Sequence, residues 1–115
     1  MTGLTPFERG LVAHLVADWL LQNSWMAVNK VKLRHPAGWV HGGIHALCLA
    51  WALGWPAGLV LGVVHVLVDT RSLLDWWVRV FKDSDSSPEA QVIRMATDQV
   101  IHLACIAAWI LWAPW

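Results

Sequence analysis

Four apolar stretches fill most of the chain, divided by short polar or turn-forming segments, and in each stretch two ionisable residues stand four apart. An α-helix needs about 20 apolar residues to cross a hydrocarbon core of roughly 30 Å. The pattern predicts helices over about 6–28, 37–53, 57–81 and 88–112. Thr5, Pro6 and Glu8 give the first an N-cap, a proline in its first turn and a capping-box glutamate. A basic segment, 29–35, holds His35 in a loop, and Pro36 restarts the chain. Gly54, Trp55, Pro56 and Ala57 form a tight uncharged turn. Asp83 to Ser87 form a polar loop, with Ser86 or Ser87 capping the last helix ahead of Pro88 and Glu89. The expectation is an all-α protein: one domain over 1–115, folded as a four-helix transmembrane bundle.

Composition supports the membrane reading. The chain is 57% hydrophobic and 14% charged, whereas soluble domains are about 25% charged. Net charge is zero, and no basic patch is interleaved with aromatics, so nothing points to nucleic acid. The first apolar run follows Glu8 and Arg9 and itself carries His14 and Asp18, which reads as a retained helix and not a secretory signal. Lys30, Lys32, Arg34, Arg79, Lys82 and Arg94 gather at the first and third loops, with Arg9 nearly alone opposite. The positive-inside rule places those loops in the cytoplasm and both termini on the extracytoplasmic side. Trp25, Trp39, Trp76 and Trp77 mark one interface, and Trp51, Trp55, Trp109, Trp112 and Trp115 the other. Trp19, at mid-depth, reads as core packing. Cys48 and Cys105 read as small core residues, with no disulfide. Gly54, Gly58 and Gly62 allow close helix approach; internal packing is favoured over a dimer seam, and a homo-oligomer stays open.

The paired residues are His14/Asp18, His41/His45, His65/Asp69 and Asp98/His102. A spacing of four puts both members on one helix face. Ionisable groups at membrane depth are costly, turn inward and mark function. Five histidines and three aspartates can share one layer, which is a metal-site composition: one or two transition ions (Zn, Fe, Mn or Ni), with an aspartate bridging or terminal. Asp18, Asp69 and Asp98 are also the candidate catalytic carboxylates, one of them free to act as general base. Gln22, one turn beyond Asp18, and Gln99, beside Asp98, are placed to orient ligands by hydrogen bonds. Arg79 and Arg94 are candidates for an anionic head-group mouth, though each is otherwise an ordinary interfacial arginine.

The same residues carry a resemblance. The run from His14 through Asp18 to Gln22, then Trp25, Met26 and Lys30, resembles the start of the domain-of-unknown-function 3307 family of small bacterial integral membrane proteins. His41 to His45, His65 to Asp69, and Asp98, Gln99 and His102 follow in order, covering nearly the whole chain. Where that family has a lysine shortly after the third-helix aspartate, Thr70 and Arg71 stand here. The resemblance implies a multi-pass protein of the bacterial inner membrane and brings no established activity.

The first functional reading is a membrane metalloprotein that hydrolyses lipid or lipid-linked phosphoesters, with the bilayer and a lipid-like substrate as partners. A divalent-metal or proton transporter or channel is the alternative, against which the apolar outer half (Leu47, Leu49, Ile106, Ile110) argues. A haem-binding electron carrier and a structural subunit with a polar core are further readings. No phosphate-binding glycine loop, nucleophile elbow or CxxC pair is present.

Overall fold

The computed structural model describes residues 3–82 and 88–112. Among them every regular element is helical: α1 (Pro6–Leu15), α2 (Ser24–Asn29), α3 (Pro36–Leu53), α4 (Trp55–Asp69), α5 (Ser72–Trp77) and α6 (Pro88–Trp112). π-helical turns extend α1 over Val16–Leu20 and α5 over Val78–Lys82. The all-α expectation holds. The expected 83–87 loop with its Ser86 or Ser87 cap, and Trp115 of the aromatic belt, lie outside the described residues.

Two expected helices are broken. The first, over 6–28, runs only through the π turn, where the Leu21 N–H donates to the Val16 carbonyl at 3.0 Å. Asn23 then takes an extended backbone, and its side chain accepts from the Met26 N–H at 3.0 Å to start α2. A local cap thus outweighs continuous apolar character. An Asn N-cap is worth about 1 kcal/mol over Ala, so Asn23→Ala is expected to lower stability by about that much and Asn23→Asp to preserve it, read by thermal unfolding in detergent. The third expected helix, over 57–81, stops at Asp69. The Thr70 hydroxyl donates to the Leu67 carbonyl at 2.7 Å, and Arg71 takes a left-handed backbone with φ 67° before α5 begins.

Other ends match the sequence. Thr5 and Glu8 form a reciprocal capping box at 2.9 and 3.2 Å. His35 caps α3, its Nδ1 accepting from the Ala37 N–H at 3.0 Å, with Pro36 in the first turn. The α3–α4 joint is a single residue, Gly54, whose φ of 97° favours glycine. α4 therefore starts at Trp55, two residues earlier than expected. Past this joint the helices run antiparallel in close contact, Gly58 facing Ala46 and Ala50, and Gly62 facing Ala46 and Gly42. The glycine series is used in internal packing.

α1 packs against α3 and α6, and α4 packs against the same two, so four helices close a ring. At one end Ala13, Leu49, Ala52, Ala57, Leu61 and Ile106 form an apolar cluster. There the Arg9 guanidinium donates to the Ala52 carbonyl at 2.9 Å, satisfying an end carbonyl of α3. Cys48 and Cys105 are free thiols. Trp19 is 60% exposed, which corrects its expected core role: Ala13, His14, Ala17 and Asp18 form the buried stripe, and residue 19 lies off it. Among the described residues α6 alone is long and apolar enough to cross a membrane. α4 with the segment through Phe81 reaches that length jointly, across a 52° bend.

Candidate metal centre

Inside the ring, where a globular core would be hydrocarbon, the buried side chains are His14, Asp18, His41, His45, His65, Asp69 and His102. Each helix of the ring supplies part of the set. The i,i+4 pairs do face one another: His14 Nε2 is 3.4 Å from Asp18, His65 Nε2 2.9 Å from Asp69, and His102 Nδ1 3.7 Å from Asp98. The contacts between helices are as close. Asp18 Oδ1 accepts from His45 Nε2 at 3.1 Å and lies 3.0 Å from His41 Nε2. Asp69 lies 3.5 Å from His41 Nε2 and 3.4 Å from His102 Nε2. The rings of His45 and His65 stack at 3.5 Å.

Two ligand groups emerge. Asp18, His41, His45 and His65 each offer an atom within 4.8 Å of the others, and so do His65, Asp69 and His102. His65 is common to both. A neutral imidazole has one free nitrogen lone pair, so His65 can serve one ion, in either group. The donor chemistry fits a transition metal: imidazoles with carboxylates suit Zn, Fe or Mn. The nitrogens His41 Nε2, His65 Nε2 and His102 Nε2 and both Asp69 oxygens are buried and without hydrogen bonds, although they converge to 2.9–3.5 Å. Buried polar atoms are ordinarily satisfied, and a cation in each ligand group would meet the lone pairs gathered there. His102 is further oriented for such a role, because its Nδ1–H donates to the Asp98 carbonyl at 2.8 Å and leaves Nε2 facing Asp69.

Six of the eight nominated ligands fall in these groups; His14 and Asp98 stand beside them. Gln99 explains His14. Its amide donates to Asp18 Oδ2 at 3.0 Å and to Asp98 Oδ2 at 3.3 Å, so its carbonyl oxygen accepts from His14 Nε2 at 3.0 Å. His14 thus presents a proton, not a lone pair, toward the centre. Asp98 is half-buried beside the cluster. Gln22 donates to the backbone carbonyl of Asp18 at 3.4 Å and not to its carboxylate.

A cavity of roughly 390 Å³ opens beside Asp18, with Asp98 and Gln99 also on its wall. Its cations are Lys30, Arg71 and Arg94. Arg94 was expected there; Arg79 lies on the π turn after α5, exposed and off this wall. Lys30, read from sequence as a loop charge, is buried, with its ammonium 3.9 Å from Asp69. Arg71 had no assigned role. The Arg94 guanidinium donates to Asp75 Oδ1 at 2.6 Å across α5 and α6. The signal that could have found Lys30 is the Asn23 cap, which starts the short α2 whose C-cap is Lys30.

A model of the family described as Protein of unknown function (DUF3307) matches residues 7–114. The chain belongs to that family. No curated protein and no solved structure matches it.

Proposed function

We propose that this chain is an integral membrane metalloprotein that hydrolyses phosphoesters of lipids or lipid-linked substrates. The observation that carries the reading is the double position of Asp18, which belongs to a ligand group and also lines the cavity. A ligand entering that cavity would reach the cluster directly. Beyond the cluster, the buried layer of Ala13, Leu49, Leu61 and Ile106 offers an ion no polar path, which favours chemistry over passage.

The membrane placement rests on an inside-out burial pattern. Histidines and aspartates are buried, while Leu20, Leu47, Leu59, Val100, Leu111 and Trp112 are exposed. Surface apolar area of this extent marks a lipid or partner contact. Trp25, Trp39, Trp51, Trp55, Trp76 and Trp77 are exposed as interfacial tryptophans would be. With α6, α3, α1 through α2, and α4 through α5 as four spans, the basic loops face the cytoplasm and the protein is multi-pass.

In this reading Asp18, His41, His45, His65, Asp69 and His102 hold one or two ions, and a bound ion supplies Lewis acidity toward a phosphoryl oxygen and a water. Gln99 and His14 fix the Asp18 carboxylate. Asp98 belongs to neither ligand group and faces the cavity, so its carboxylate takes the proton from the attacking water.

Elemental analysis of the detergent-purified protein beside His45→Ala/Asp69→Ala tests the centre. We expect about one to two equivalents of a transition metal in the wild type and loss in the double variant, which breaks both groups. Hydrolysis screening of lipid phosphoesters then follows with the loaded protein. Folded wild type that is metal-free and unchanged by added metal would overturn the reading.

A further inference from the structure

Holding an ion accounts for the histidines and aspartates but leaves the three cations of the cavity without a task. We propose that Arg71 and Lys30, flanked by Arg94, form a phosphate-binding subsite beside the His/Asp cluster. The inference rests on the phosphoester reading for its substrate class, yet the subsite stands or falls on anion binding alone.

Arg71 is the one described residue other than glycine with a positive φ, 67°. Non-glycine residues hold that conformation only where the surroundings over-determine it, and such positions gather at functional sites. Here the Thr70 cap on Leu67 ends α4 immediately after Asp69 and turns the chain so that Arg71 lines the cavity two residues from the cluster. Among the described side chains none pairs with its guanidinium. That planar fork matches two oxygens of a phosphate at once.

Lys30 adds an independent observation. Its side chain is 9% exposed, and its ammonium carries three donors. Asp69 at 3.9 Å is its nearest carboxylate and lies beyond hydrogen-bonding distance. A largely buried lysine side chain without a hydrogen-bonded carboxylate favours an anionic acceptor, and Lys30 lines the same cavity as Arg71. Arg94 is anchored through one nitrogen to Asp75, which leaves the rest of its fork available. The opposing charges on the wall are Asp18 and Asp98. Asp18 is engaged by His45 and Gln99, and Asp98 by Gln99, so an anion settles at the cationic end. A volume of roughly 390 Å³ far exceeds the roughly 10–15 Å³ that one water needs and admits a phosphate with its first substituent.

Titration calorimetry of the detergent-purified full chain with inorganic phosphate, after metal chelation, tests this. Arg71→Gly is the first variant, because glycine accepts φ 67° and keeps the break between α4 and α5. Lys30→Gln is the second, and Arg79→Gln, off the cavity wall, is the control. We expect wild type and Arg79→Gln to bind alike, and Arg71→Gly and Lys30→Gln each to weaken binding about 10-fold or more. Absence of phosphate binding in wild type, or Arg71→Gly and Lys30→Gln binding as wild type does, would overturn the subsite. A second arm replaces phosphate with phosphatidic acid in mixed micelles. Tighter binding than inorganic phosphate assigns the subsite to a lipid head group, and equal binding to the phosphate itself. Phosphate binding that depends on Arg71, in a chain that never takes up metal, would keep the subsite and sink the hydrolase reading.

Discussion

Asp18→Asn is expected to lower metal affinity by about 100-fold or more while leaving the helical content unchanged. The magnitude follows from position. Partners that only orient a ligand typically cost about 10–100-fold when lost, and Asp18 lies closer to the middle than any such partner. Its carboxylate meets His41 and His45 at 3.0 and 3.1 Å, His14 at 3.4 Å, His65 at 3.9 Å and the Gln99 amide at 3.0 Å. No other described residue gathers side chains from α1, α3, α4 and α6 in this way. An asparagine of the same shape keeps one acceptor and adds donors, so neutral imidazoles still find partners and the apo protein stays folded. What it lacks is the negative charge that offsets a dication in a buried site. Metal content by mass spectrometry, with circular dichroism as the folding control, decides the matter. Metal retained at wild-type affinity would make Asp18 a structural acceptor and shift the weight of the site to Asp69.

Sequence periodicity made the site legible because the information lies in spacing. Pairs four apart must share a helix face, and in the structure they do, so nominating all eight residues required no tertiary knowledge. The capping box of α1 was legible for the same reason: its signal is local. The two breaks were not. Residues 6–28 and 57–81 each read as one predominantly apolar stretch, and hydropathy does not register a π turn, which adds a residue to a turn without changing composition. Asn23 was a readable cap, but one cap of about 1 kcal/mol competes against an uninterrupted apolar run. The burial of Lys30 was hidden more deeply. A lysine in a basic segment reads as interfacial, and only the tertiary fold brings its ammonium to 3.9 Å from Asp69. Arg71 was hidden because nothing in an arginine's chemistry announces a left-handed backbone. The cations beside the cluster were therefore misplaced by sequence, with Arg79 nominated where Arg71 and Lys30 stand.

Gly62→Leu is expected to abolish a monodisperse folded protein, and Gly62→Ala to cost about 1–3 kcal/mol, a typical overpacking penalty. A Cβ at Gly62 would come 2.7 Å from the Ala46 Cβ and 3.2 Å from the Ala46 Cα. The obstruction is therefore the backbone of α3, which cannot yield as a flexible side chain would. Close packing across small residues is what joins α3 and α4 here, so the loss has no compensating term. The consequence reaches the site. α3 carries His41 and His45 and α4 carries His65 and Asp69, so a wider α3–α4 separation pulls the two ligand groups apart. Gly43 provides the internal control. It lies on the exposed face of α3, with nothing within 4 Å of an added Cβ. Gly43→Ala should be neutral or stabilising by up to about 1 kcal/mol, through helix propensity alone. Thermal melts of the three variants in one detergent, each paired with metal content, separate the cases. Equal melting of Gly62→Leu and wild type would mean that α3 and α4 do not pack as described.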